Sequence, residues 1–244
     1  MSRLETDYAD WPPGLYHVRG MMSVPHVLAD ESGVVLLDTG FPGDAKRIRR
    51  QLAGIGAGPK DVRAILLTHG HLDHAGNAAH LRDWCGAPIY AHPAEQPHID
   101  GTFPYVGFSR VAGVLEAAGR AVTRYRPASI DVPLVEGDVL PFWGGLQVVH
   151  LPGHTLGHCG FFSAKHNLLF SGDLWVRFMM RTQASPRIFS DDVSLVPGSL
   201  RKARAFGARW VVPGHYDQPN ATRLRIRFEN LCEEMNRAAQ PRIV

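Results

Sequence analysis

Short apolar runs, each closed by a small or turn residue and then a polar one, recur along the chain. Val34-Val35-Leu36-Leu37 leads to Asp38-Thr39-Gly40, and Ala64-Ile65-Leu66-Leu67 leads to Thr68-His69. Leu146-Gln147-Val148-Val149-His150-Leu151 leads to Pro152-Gly153-His154, Leu168-Leu169-Phe170 to Ser171-Gly172-Asp173, and Trp210-Val211-Val212 to Pro213-Gly214-His215. Apolar and β-branched runs of this length, punctuated by Gly or Pro, predict strands. Strand ends lying side by side on one rim of a sheet would gather those polar residues, which is how open α/β sheets usually build sites. The recurrence in both halves suggests two similar βα halves facing each other.

Helical patterns lie between the strands. Residues 44–53 predict a short basic helix with an Asp at its start, where the helix dipole favours a negative charge. Residues 75–84, 111–118 and 195–206 are further helices, the last led by Asp191-Asp192. Residues 223–239 form a terminal amphipathic helix with Leu224, Phe228, Leu231 and Met235 on one face. The stretch from about 95 to 132 is long, mixed and aromatic (Phe103, Tyr105, Phe108, Tyr125), and reads as a lid or pocket wall on a single domain spanning residues 1–244.

Composition narrows the class. At 244 residues with 45% hydrophobic and 20% charged residues, the chain is apolar enough to bury a core. The net charge of +3 is small and the basic residues are scattered, which argues against a nucleic-acid or membrane partner. The first seven residues carry acids where a signal peptide needs an apolar core, and no stretch approaches the roughly 20 apolar residues needed to span a bilayer. Three widely spaced cysteines (Cys85, Cys159, Cys232) read as reduced thiols, so the expected location is cytoplasmic.

Thirteen histidines are present, and their placement carries the chemistry. His69-Gly70-His71-Leu72-Asp73-His74 puts three imidazoles and a carboxylate into six residues. In a loop between a strand and a helix they can splay around two nearby positions, and their nitrogen and oxygen donors suit zinc and similar divalent ions. A surface cluster of histidines is the plainer alternative.

With this motif the chain resembles the metallo-β-lactamase superfamily and its His-x-His-x-Asp-His signature. The resemblance extends to Leu37-Asp38-Thr39-Gly40, Pro152-Gly153-His154-Thr155-Leu156-Gly157-His158, Ser171-Gly172-Asp173 and Pro213-Gly214-His215. It implies an α/β fold, a four-layer αββα sandwich, and two divalent metal ions, zinc by default with manganese or iron also suited. His69, His71 and His154 would hold the first ion, Asp73, His74 and His215 the second, and Asp173 would bridge both. Each ion would keep an open position for water and substrate. Asp73 and Asp173 are the catalytic candidates, Asp73 by orienting the attacking water. Asp38 reads either as orienting a histidine or as a turn residue, His158 as structural, and the remaining histidines as bystanders.

The resemblance implies a hydrolase acting on an ester-type bond of a small molecule: a lactone, a thioester or an ester. Asp173 stands where well-known zinc β-lactamases carry a metal-binding cysteine, which argues against antibiotics as the main substrate. Only 29 residues follow His215, short for the helical extension of hydroxyacylglutathione hydrolases, and no tyrosine closely follows Asp173, unlike many lactonases of this fold. Phe178-Met179-Met180 would suit an acyl chain or plain core. A mononuclear iron persulfide dioxygenase of the same fold and a glyoxalase II-like thioesterase are the alternatives within the enzyme class. A non-catalytic metal-binding or partner-binding module is the alternative outside it. The sequence does not specify an oligomeric state.

Overall fold

A computed structural model describes residues 11–178 and 181–239. Met179, Met180 and the N-terminal segment read above lie outside the described residues, and nothing is described of the Phe178 side chain. The first sheet contains β1 (Leu15–His17), β2 (His26–Asp30), β3 (Gly33–Leu37), β4 (Val62–Leu66), β5 (Ile89–Ala91) and β6 (Val132–Pro133), in that spatial order. Antiparallel pairing from β1 to β3 gives way to parallel pairing from β3 to β6. The second sheet has the order β13-β10-β9-β8-β7, built from β7 (Val139–Leu140), β8 (Leu146–His150), β9 (Cys159–Ser163), β10 (Leu168–Gly172) and β13 (Trp210–Pro213). A separate hairpin pairs β11 (Trp175–Phe178) with β12 (Arg181–Ala184).

Alternation along β3 and β4 shows how the layers form. Val35, Leu37, Ala64 and Leu66 face the second sheet and pack in one cluster with Val148, Phe161, Leu169 and Phe170. Val34, Leu36 and Ile65 point the other way, onto Ile48 and Leu52 of α1 (Ala45–Gly54) and Ala78 and Leu81 of α3 (Ala78–Cys85). A period of two places successive side chains on opposite faces, so a strand buried on both faces reads as continuously apolar. Beyond the second sheet lie α6 (Val196–Ala205) and α7 (Ala221–Ala239), which add Leu200, Leu224, Phe228 and Leu231 to the inter-sheet cluster. The arrangement is the expected helix–sheet–sheet–helix sandwich.

The helix expected over 75–84 is two pieces, α2 (Leu72–Ala75) and α3, with Gly76 and Asn77 between them. A Cβ at Gly76 would lie 2.4 Å from Leu72 O and 2.5 Å from Gly40 O, so the chain passes too close to its neighbours for any other residue. Asn77 spends its side chain on the 39–43 loop, donating to Thr39 O (2.6 Å) and Phe41 O (2.9 Å) and accepting from Gly43 N–H (3.0 Å). The wall segment holds α4 (Gln96–Asp100) and α5 (Arg110–Thr123). The second is longer than the expected 111–118. A Glu116–Arg120 ion pair (3.0 Å) bridges successive turns, and the helix stops where Arg124 turns left-handed (φ 52°).

Candidate metal centre

Five of the strands predicted from sequence end on one rim, where β3, β4, β8, β10 and β13 deliver Asp38, His69, His154, Asp173 and His215 from the residues that follow them. His71 comes from the residue that caps α2, and Asp73 and His74 from α2 itself. His71 Nδ1 lies 2.9 Å and His69 Nε2 3.1 Å from His154 Nε2. On the other side, His74 Nε2 is 3.3 Å from His215 Nε2, and Asp73 Oδ2 is 3.1 Å from His215 Nε2. Asp173 stands between, with Oδ1 3.3 Å from His74 Nε2 and Oδ2 3.1 Å from His215 Nε2 and 3.7 Å from His154 Nε2. The structure therefore brings together all seven residues singled out from the sequence. Three overlapping donor groups result: His69, His71 and His154; His69, His74 and Asp173; Asp73, His74 and His215.

Residues 19–215, a span containing all seven, match the family model of the metallo-beta-lactamase superfamily. The chain belongs to the metallo-beta-lactamase superfamily. Membership together with metallo-hydrolase and hydroxyacylglutathione hydrolase relatives marks it as a metal-dependent hydrolase. Among superfamily relatives, it is 27% identical over 202 residues to the probable metallo-hydrolase YflN of Bacillus subtilis, covering 74% of each chain. It is 28% identical over 152 residues to the hydroxyacylglutathione hydrolase GloC of Haemophilus influenzae, covering 59% of this chain and 62% of GloC. A solved metallo-beta-lactamase family protein from Thermus thermophilus superposes with a TM-score of 0.71 at 24% identity, covering 93% of this chain and 80% of that one. The superfamily typically binds divalent metals.

The donors here fit such an ion. Three imidazole nitrogens converging within about 3 Å cannot all satisfy one another by hydrogen bonding. Burial lowers the pKa of His69, His71 and His154, so they present neutral imidazoles with free lone pairs. The other side is charged. Burial opposes protonation of His74 and His215, but the Asp173 carboxylate, aided by Asp73 and, at His74, by Asp38, raises both, His215 to about 10. Burial would likewise raise Asp73 and Asp173, yet these two imidazolium groups hold them below the usual carboxylate range.

The outer nitrogens are braced. Asp38 Oδ2 accepts from His74 Nδ1 (2.8 Å), its Oδ1 accepts from Thr68 N–H (2.8 Å), and Thr68 Oγ1 stands 3.0 Å from His69 Nδ1. Asp38 thus takes the histidine-orienting role, from a left-handed backbone (φ 59°). His215 Nδ1 donates to Met22 O (2.9 Å). His158 is structural: its Nδ1 donates to Leu151 O (3.0 Å) and its Nε2 accepts from Asp173 N–H (2.9 Å).

Four further residues shape the site without having been singled out for it. Glu95 reaches both ligand-bearing loops. Glu116, the only acid on α5, accepts from Leu72 N–H (2.7 Å) and from the Tyr105 hydroxyl. Its isolation in an apolar helix was the available signal. Asp191 does not lead α6 as the sequence suggests; instead its Oδ2 meets His98 Nε2 (3.0 Å) and accepts from Leu156 N–H (3.0 Å). His98 is consequently no bystander but a buried link in the wall, its ring 5.0 Å from that of His71. A cavity of about 360 Å³ opens onto His71, Asp73, His154, Asp173 and His215, and Met22, Phe41, Leu115, Val176 and Phe189 line its apolar sides. Among the described residues, no helix is long and apolar enough to cross a membrane.

Proposed function

We propose that this chain is a binuclear hydrolase that cleaves an ester-type bond, in a lactone, thioester or ester, of a small molecule with an apolar acyl part. Supporting the reading is one arrangement: two donor clusters flanking Asp173 at the floor of an apolar cavity. In this reading His69, His71 and His154 hold one divalent ion, Asp73, His74 and His215 the other, and Asp173 both. Zinc is the default from the nitrogen-rich donor set, with manganese or iron accommodated by the same residues. Bound ions would polarise a carbonyl oxygen and make water nucleophilic at neutral pH.

The chain's own residues supply orientation. Asp73 is the more exposed carboxylate (18%, against 7% for Asp173), and it faces the cavity, where it can orient the attacking water. Met22 O and Asp38 fix the imidazoles of His215 and His74, so the donor atoms are in place before substrate arrives. The apolar walls exclude water and hold the acyl part, while Tyr105 and Glu116 form the polar end of the wall segment.

The test is a matched set of lactone, thioester and oxygen ester carrying one acyl chain, assayed with metal, with chelator and after metal restoration. Hydrolysis of at least one that vanishes with chelator and returns with metal is expected. Chelator-insensitive turnover, or none across the set by metal-loaded protein, would sink the reading. The likeness to GloC favours including a glutathione thioester as the second candidate substrate.

A further inference from the structure

The loops carrying the donor histidines come from different sheets: 69–74 follows β4 and 154–158 follows β8. At the strand-proximal end they are joined directly, Cys159 N–H donating to Thr68 O (2.9 Å). Farther out they are joined by a side chain belonging to neither. Glu95, fully buried at the end of a short turn after β5, accepts from Gly70 N–H through Oε2 (2.6 Å) and from Gly157 N–H through Oε1 (2.8 Å). Gly70 lies between His69 and His71, while Gly157 lies three residues past His154 and directly before His158, whose Nε2 receives the amide of Asp173.

Both amides need a close approach. A Cβ on Gly157 would stand 2.6 Å from Glu95 Oε1, and one on Gly70 would stand 2.7 Å from His98 Cβ and 2.9 Å from Glu95 O. Hydrogen bonds to an ionised carboxylate are shorter and stronger than neutral ones, and a two-oxygen acceptor fixes the separation of its two donors. Burying a carboxylate is unfavourable without such partners, and burial does raise the Glu95 pKa. Its position is therefore one that packing alone would have filled with an apolar side chain.

We infer that Glu95 is a positioning residue that sets the distance of His69 and His71 from His154 and so governs cation affinity at that three-histidine position. The inference rests on the proposed reading of those histidines as ligands. Glu95 does not line the cavity, so it acts through the loops and not on substrate.

The experiment is a cobalt(II) titration of full-length protein, followed by its visible absorption and by competition with a chelator, alongside thermal unfolding of the metal-free protein. Glu95→Gln keeps the shape but turns an NH₂ group against one amide donor. Affinity at the three-histidine position should fall about 10- to 100-fold, as for other residues that orient metal ligands. Its cobalt spectrum should shift, with affinity at the Asp73, His74 and His215 position near wild type and the metal-free Tm lowered by only a few degrees, the cost of one buried amide left without an acceptor. Glu95→Asp, too short to hold both amides but still charged, should lie between Gln and wild type, and it carries the test if Glu95→Gln does not fold. A folded variant with unchanged affinity and spectrum overturns the inference; so does equal weakening at both positions, whatever the metal-free Tm. His69→Ala separates the two claims. Cobalt binding indifferent to His69 defeats the ligand reading itself, whereas binding that needs His69 but not Glu95 defeats only the positioning role.

Discussion

Replacing Asp38 should uncouple folding from metal affinity in a graded way. Its side chain is 5% exposed and accepts from Thr68 N–H and His74 Nδ1 at 2.8 Å each, and from Thr68 Oγ1 at 2.9 Å. Asp38→Ala leaves Thr68 N–H and His74 Nδ1 buried without an acceptor, at about 1–3 kcal/mol each. It also leaves a Cβ-bearing residue other than Asn or Asp in the left-handed region, at roughly 1–2 kcal/mol. The sum, about 3–8 kcal/mol, is a large share of the ~5–15 kcal/mol that holds a domain together. Asp38→Asn is gentler. Asn tolerates the left-handed backbone and keeps Oδ1 on Thr68 N–H, so only the acceptor for His74 is lost. Stability should fall by about 1–3 kcal/mol, while cation affinity at the His74 position falls about 10- to 100-fold. Urea unfolding of metal-free protein reads the first quantity and chelator-competed metal titration the second. A well-folded Asp38→Asn protein with wild-type metal affinity would refute the argument that Asp38 acts by orienting His74.

Other expectations follow from the same geometry. Asp173→Ala removes the carboxylate between the two clusters and should abolish most hydrolysis; a fully active variant contradicts its bridging role. Gly214→Ala places a Cβ 2.3 Å from Asp173 Oδ1 and 2.6 Å from His74 Cε1, so elemental analysis should show a folded protein depleted in metal. Metal binding should expel protons from one cluster only. In the metal-free protein His74 and His215 are raised, His215 to about 10 so that it holds a proton at pH 8, whereas His69, His71 and His154 are lowered and neutral. Calorimetry in buffers of different ionisation enthalpy should detect proton release on loading at pH 8, declining as the pH rises through about 10, the His215 value. Pairing of the acyl part with the apolar wall predicts that each added methylene improves kcat/KM about fourfold, from ~0.8 kcal/mol per buried CH₂, until the cavity fills. Leu115→Glu should flatten that series.

The site was legible in the sequence because each donor sits at the end of its own strand or in one six-residue turn. Strand ends are local signals, and α/β topology does the gathering. The same locality recovered α1, α6 and α7, whose apolar faces recur within single turns. What escaped is non-local. Glu95 meets partners 25 and 62 positions away, Glu116 one 44 away, and Asp191 one 93 away. No periodicity marks a side chain whose partners lie that far along the chain. The break between α2 and α3 escaped for a related reason: Asn77 is tied to residues 34 to 38 positions earlier, and those contacts outweigh a continuous helical pattern.

The proposed hydrolysis requires two divalent ions on one rim of this sandwich. Elemental analysis of purified, fully loaded protein, with metal counted per chain, tests it most directly. Close to two zinc, or two of another divalent ion, are expected per chain, falling toward zero together with hydrolysis on chelation. A single iron per chain, or metal content indifferent to His69 and His215, would contradict it.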